Sequence, residues 1–429
     1  VKKTIVVMIV LLFSIGLAAC SNEEKSSNQN NGKQVELTFA TWGSPAEFEV
    51  LQKAVDKFNE EHEDIHVKDI IGIPWANYNQ TITTRLQGGE APDVFYVNGQ
   101  NISNLIETKS ILPINDFMES SESYVKVDEY PKDIWGPSDK DGIKYGFSVD
   151  SNPIVMYYNK KVFEEAGVKT PQEYFDEGKW NWDAMEEVTS QLVEAGKYGF
   201  VQDPAHNAML NWVWANGGEF AVDGEVVVQN DPKAKEAFEF VNKMIESGNF
   251  VSGGTLPEGQ GSDAMFMSNQ VGMIGGGRWY SPGFKEANVE YDYIPWPSNT
   301  ENKLEPAEIA TAFLSVNSDT EHKEAALKFA SYYSSEIGQE VRLKGQGNAV
   351  PSVLGLDHLI TDSPETEHAK YLLDARNIGR VVDFAVSIPG LNDELNSIYQ
   401  LFMLGDLTVD ETINQLTETS QKMVAENKE

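Results

Sequence analysis

The sequence predicts an α/β protein of two domains. Three observations carry that expectation. Apolar runs of strand length alternate with segments of helical period along most of the chain. Helix-start signatures of the form Ser/Thr-x-x-Glu recur. The 429 residues are more than one core of ordinary size organises.

Taken in order, Val35–Thr41 alternates with period two and reads as a strand. Ser44-Pro45-Ala46-Glu47 is a capping box with proline at the first helical position, followed by Phe48, Leu51, Val55 and Phe58 at helical spacing. Gly88-Gly89 closes a later helix, and Pro92–Val97 is a short apolar strand. Ile143–Val149 and Ile154–Tyr158 read as two more strands. Thr170-Pro171-Gln172-Glu173 and Thr408-Val409-Asp410-Glu411 repeat the capping box. Ala234, Ala237, Phe238, Val241, Met244 and Ile245 share one helix face, closed by Gly248. Val271–Ile274 and Ile309–Val316 are strand-like. From Thr320 the chain is mostly helical, broken by the Gly345-Gln346-Gly347-Asn348 loop. Strands alternating with helices predict mainly parallel sheets covered on both faces.

Ahead of this body lies an export signal. Lys2 and Lys3 precede an apolar run from Ile5 to Phe13, then Leu17-Ala18-Ala19-Cys20. The run is too short for a stable membrane span. Cys20 is the only cysteine, so no intramolecular disulfide forms. Small-small-Cys after the greasy stretch resembles the bacterial lipobox. That resemblance implies residues 1–19 as a cleaved signal peptide, a diacylglyceryl thioether on Cys20, and acylation of the new amino terminus. Two or more chains anchor stably where one does not. Residues 20–34 are polar throughout after the cysteine and predict a disordered tether, with a reach of about 20 Å.

The formal net charge of −34 opposes partnership with nucleic acid or anionic lipid and favours solubility outside the cell. There is no phosphate-binding G-x-x-x-x-G-K-[ST], no G-x-S-x-G elbow, no dinucleotide fingerprint and no Cys/His cluster of zinc spacing. The expectation is therefore a non-enzymatic protein without cofactor or metal.

Five segments then fit one family. They are Thr41-Trp42-Gly43, Gly89-Glu90-Ala91-Pro92-Asp93-Val94, Tyr157-Tyr158-Asn159-Lys160, Gly275-Gly276-Gly277-Arg278-Trp279, and Gly405-Asp406-Leu407-Thr408-Val409-Asp410-Glu411. In order and spacing they resemble the extracellular solute-binding proteins of ABC importers, in the carbohydrate branch that includes maltose-binding protein. The resemblance implies a two-lobed, type II periplasmic-binding-protein-like fold with three hinge crossings, near 149–151, 309–311 and 349–351. One lobe would hold 35–149 plus 311–349, the other 152–308 plus 352–429. It implies a monomer, anchored by lipid on the extracytoplasmic face, that takes a saccharide between its lobes and hands it to membrane permease subunits. A secreted glycoside hydrolase or lyase, and a polyamine or metal receptor, stay open as alternatives.

Flat aromatics cover the apolar faces of sugars while amides and carboxylates take the hydroxyls. Nine tryptophans and sixteen tyrosines are available. Ligands of α/β sheets lie beyond the carboxyl ends of strands, which selects Trp42, with Glu47 in the next helix turn, and Asn98 and Gln100. The resemblance adds Asp150 on the first crossing, the Asn207 and Trp212 region, Trp279 ending the glycine turn, and Asn348 at the third crossing. Each has a structural alternative. Glu47 serves the capping box equally well, and Trp212 and Trp214, two apart on a helix, face apart. Arg278 either clamps an acidic sugar or neutralises local charge. Asp93 reads as a turn residue, His206 as a core or capping residue, and Trp180 and Trp182 as packing of the second lobe. The segment Ser387–Asn392 lacks the tryptophan that maltose-binding protein carries there, which speaks against a maltodextrin ligand.

Overall fold

Two five-stranded sheets, each buried between helices, organise the chain. The computed structural model describes residues 34–257, 260–299, 302–345, 347–362 and 366–427. The export signal, Cys20 and the tether through Lys33 lie outside the described residues.

The strands of the two sheets are β1 (Phe39–Trp42), β2 (Ile71–Ile73), β3 (Val94–Asn98), β4 (Phe147–Pro153), β5 (Val155–Asn159), β6 (Tyr198–Gln202), β7 (Phe250–Ser252), β8 (Val271–Gly276), β9 (Tyr291–Ile294) and β10 (Ile309–Val316). One sheet has the order β2-β1-β3-β10-β4, the other β7-β6-β8-β5-β9. In each, four of the five strands run the same way, and the fourth position holds one reversed strand, β10 or β5. The reversal follows from connectivity: β5 and β10 are the strands that enter a sheet just after the chain has passed from the other one. β5 is buried on both faces. Val155 and Tyr157 pack into one core and Met156 and Tyr158 into another, the alternation expected of an interior strand.

The helices that matter for the site are α1 (Pro45–Glu61), α2 (Trp75–Gly88), α3 (His206–Ala215), α4 (Ser281–Glu286), α5 (Lys323–Ser334) and α6 (Glu336–Leu343). All three capping boxes form, at Ser44/Glu47, Thr170/Glu173 and Thr408/Glu411. The strand expected over 35–41 is two strands, Val35–Leu37 and β1, interrupted at Thr38. Asp93 causes the break. Its Oδ2 accepts from both the amide and the hydroxyl of Thr38, at 2.8 and 2.7 Å, so the side chain ties the turn down as expected. Trp180 and Trp182 are buried in the second core and donate to the carbonyls of Pro295 and Pro297.

Three chain segments connect the sheets and bond to one another. β4 runs through Ile154 into β5, and the Ile154 amide donates to the Glu308 carbonyl at 2.7 Å. Ile309 of β10 lies opposite Pro153. The Ser151 amide donates to the Val350 carbonyl at 3.1 Å, and Asn152 Oδ1 accepts from the Val350 amide at 3.1 Å. Beyond this third crossing Val353, Leu356 and Leu359, expected in the second lobe, pack into the core of the β1 sheet; Ile360 is the first to join the second lobe's core. Among the described residues no helix is long and apolar enough to cross a membrane.

Candidate functional site

The carboxyl end of β1 delivers Trp42, half-buried, edge-on to Trp75 at 5.2 Å, Tyr78 at 5.0 Å and Tyr96 at 5.3 Å between ring centres. Trp75 opens α2 behind Pro74 and is 54 % exposed, so the pair presents an accessible aromatic surface. Periodicity did not select Trp75, because an aromatic at a helix start reads equally well as a staple for the turn.

α1 begins three residues after Trp42. Glu47 closes the capping box, its Oε2 accepting from the Ser44 amide at 2.9 Å. Burial pushes its carboxyl up to about 7, the nearby Asp150 charge adds to the rise, and hydrogen bonds from Ser44 and the Asn348 side chain oppose it. Asp150 and Asn348 come from the first and third crossings and are both buried. Arg342 of α6 joins them. It is wholly buried, with Nη1 2.8 Å from Asp150 Oδ1 and 3.0 Å from Asn348 Oδ1, and Nη2 2.6 Å from the Val149 carbonyl. Glu47, Asp150 and Asn348 are thus one cluster where two crossings meet.

The glycine turn after β8 brings Trp279 to the same crossings. A Cβ on Gly277 would lie 2.2 Å from Cζ3 of Trp279 and 2.8 Å from Cβ of Asn152, so only glycine admits this approach. Trp279 is half-buried, at 5.7 Å from the Tyr280 ring. α4, which follows it, packs against α1, so the helices behind Trp42 and Trp279 meet. Arg278 has a structural part in the crossings. It is buried, donating from its amide to Asn152 Oδ1 at 3.4 Å and from Nη1 to the Ala349 carbonyl at 2.9 Å, and so fastens the third crossing.

Elsewhere the expected residues divide. Asn98 ends β3 buried, with Nδ2 on Asn79 and Oδ1 accepting from Asn101. Gln100 is half-buried in the turn that follows. Asn207, in the first turn of α3, donates to Glu308 Oε2 at 2.7 Å. Trp212 is corrected: it is 0 % exposed, hemmed by Phe200, Phe240, Phe250 and Trp296, and its indole N–H is taken by Gln202 at 2.7 Å. It belongs to the core. Trp214, turned the other way on α3, lines a recess of about 410 Å³ with His206, Leu210, Phe220, Asp383 and Phe384. Arg380 lies over its ring at 5.5 Å and is held by both carboxylate oxygens of Glu219. Burial raises the Asp383 carboxyl and lowers the His206 ring to about 3; the histidine is a core residue bonded to Tyr399.

Asp292, Glu367 and His368 bring three donor atoms within 4.8 Å of one another. Lys160 Nζ stands 3.2 Å from Asp292 Oδ2 and His368 Nδ1 2.9 Å from the same oxygen. The lysine supplies the positive charge there, and the donor set fits an internal clasp better than a metal.

Comparison with known proteins bears on the family and the fold. The family described as bacterial extracellular solute-binding protein matches residues 42–340. A galactooligosaccharide-binding protein of Bacillus subtilis is 23 % identical over 99 % of this chain and 97 % of its own. An arabinooligosaccharide-binding protein of Halalkalibacterium halodurans is 24 % identical over 85 % of this chain and 80 % of its own. The structure of an ABC substrate-binding protein from Listeria monocytogenes in complex with cycloalternan superposes with a TM-score of 0.80 at 21 % identity, covering 91 % of this chain and 99 % of that one.

Proposed function

Because the chain belongs to the bacterial extracellular solute-binding protein family, we propose that it is a lipid-anchored receptor that binds a saccharide between its lobes and passes it, chemically unchanged, to the permease of an ABC importer. The observation that carries this is the convergence of Glu47, Asp150 and Asn348 where the crossings meet; in this reading Trp42 and Trp75 come to it from the first lobe and Trp279 from the second. Carboxylates and an amide take hydroxyls directionally, and indoles cover C–H faces. The named relatives bind galacto- and arabinooligosaccharides, which favours an oligosaccharide ligand.

Within this reading the lobes are 35–149 plus 311–349 and 152–308 plus 352–429, with 352–359 reassigned to the first because its apolar residues pack there. The protein acts as a monomer. Lobe closure about the crossings selects a liganded state that the permease recognises.

Calorimetric titration with galactotriose, arabinotriose, maltotriose and raffinose tests the ligand class. Micromolar or tighter binding of at least one is expected, and the saccharide should be recovered intact. Silence toward all of them at millimolar concentration would remove the saccharide, and hydrolysed product would turn the receptor into an enzyme. For the anchor, Cys20→Ser should release the protein to the medium or leave it unprocessed; membrane retention equal to that of the parent would defeat the lipobox reading.

A further inference from the structure

Two of the residues named for the ligand, Asp150 and Asn348, share a neighbour that composition and periodicity pass over. Arg342 is one of five arginines and sits on α6 at a position that periodicity alone would leave to solvent, yet no part of it is exposed. Its guanidinium reaches two different crossings: the Val149 carbonyl and Asp150 carboxylate on the first, and the Asn348 amide oxygen on the third. Glu47 at the head of α1 is the next group, its carboxyl lowered by the Asn348 side chain and raised by the Asp150 charge. Bonds from Ser151 and Asn152 to Val350 also join these two crossings, but among the described contacts Arg342 alone reaches the Asp150 and Asn348 side chains together.

We infer that Arg342 is a positioning residue of the saccharide site, fixing the Asp150 carboxylate and the Asn348 amide in the geometry that receives ligand hydroxyls. This rests on the proposed function for its ligand, but not for its geometry. A planar fork bonded to the Val149 and Asn348 oxygens and paired with the Asp150 carboxylate sets direction as well as distance, which a lysine in the same place would not do. Pre-organisation of this kind is what lets contact residues hold a rigid, directional arrangement. The arginine also offsets part of what burial does to the Asp150 carboxyl, whose net shift is upward. Burial raises Asp150, while the charge and hydrogen bond of Arg342 pull it back. The other groups facing Asp150 are Glu47 from α1, Tyr96 from β3 and Tyr333 from α5, and none of them is a cation. Tyr333 additionally carries the guanidinium on its ring face at 5.6 Å.

The test has two arms, and the first needs no ligand. Carbon-13 NMR of aspartate-labelled full-length protein, assigned through Asp150→Asn, follows the Asp150 carboxyl across pH 4–9 in the parent, Arg342→Lys and Arg342→Gln. The carboxyl should titrate at markedly higher pH in Arg342→Gln and in between in Arg342→Lys. An unchanged titration would overturn the inference whatever the protein binds. The second arm is a double-mutant cycle read by calorimetry with the tightest-binding trisaccharide of the panel. Arg342→Gln should weaken binding by about 30-fold or more, as expected when one partner of a buried charge pair is truncated. In the Asp150→Asn background the same change should cost less than about threefold, because the group it positions is already altered. Losses that simply multiply would show that Arg342 acts independently of Asp150. Should Arg342→Gln fail to fold, the cycle is closed instead with Arg342→Lys, Asp150→Asn and Arg342→Lys/Asp150→Asn, with the same expectation of a smaller loss in the Asp150→Asn background. Absence of any saccharide binding in the parent would count against the function and leave the NMR result to decide the arginine.

Discussion

Trp279→Ala should lower saccharide affinity about 30- to 1000-fold while the protein remains folded. The indole stands half-buried beside the crossings, and loss of an aromatic at the centre of a binding site costs about 2–4 kcal/mol. Trp212→Ala is the informative contrast. The same side chain is deleted, but from a site with no exposure and a satisfied N–H, so the expected cost is about 3–5 kcal/mol of folding stability. Calorimetric titration and urea denaturation of the two variants therefore give opposite patterns. Gly277→Ala adds a third case: its Cβ collides with the Trp279 ring and with Asn152, so the ring must move, and affinity should fall although no contact group has been removed. If Trp279→Ala binds as tightly as the parent and instead melts early, Trp279 is a core residue and the aromatic wall of the site is lost on that side.

What the sequence revealed follows the range of the forces involved. Capping boxes are local: Ser44 and Glu47 are three residues apart, and the bonds they form need nothing from the rest of the chain. β10 was legible over its whole length because an interior strand is mostly apolar, and only Thr311 and Ser315 interrupt this one. The crossings came from family resemblance, and the third shows its limit, since Val353, Leu356 and Leu359 follow the neighbouring core rather than the expected boundary. On α3, periodicity separated Trp212 from Trp214 but held no information on which faces inward; packing against Phe200, Phe250 and Trp296, distant in sequence, decides it. Arg342 and Glu308 were invisible for a related reason. A lone charged residue reads as solvated among 67 acids and 33 basic residues, and only tertiary structure shows these two buried.

Glu308→Gln should make stability less dependent on pH between 5 and 8. Glu308 lies on the second crossing, 4 % exposed, with one donor, Asn207 Nδ2 at 2.7 Å, on its carboxyl. Burial pushes its pKa from 4.5 to about 7, the Asn207 hydrogen bond offsets part of that, and the Asp203 charge adds to it. The sign follows from linkage. In the unfolded chain the group has lost its proton by pH 5–6, whereas in the folded protein it keeps the proton until about 7. Over that window the folded state binds more protons, so the parent loses stability as pH rises from the unfolded pKa to the folded one. A rise of this size is worth about 3 kcal/mol once the group is ionised in both states. Glutamine keeps the carbonyl that accepts from Asn207 and cannot titrate. The stability difference, variant minus parent, should therefore grow by about 2–3 kcal/mol in the variant's favour between pH 5 and pH 8, read by urea unfolding at each pH. Glu47 has a raised pKa of the same sign but is present in both proteins, so its contribution cancels in the difference. A difference that stays flat across the range would mean that Glu308 is already ionised in the folded protein at pH 5. The second crossing would then hold a buried carboxylate with a single amide for company, an arrangement whose desolvation cost the Asn207 bond alone does not offset.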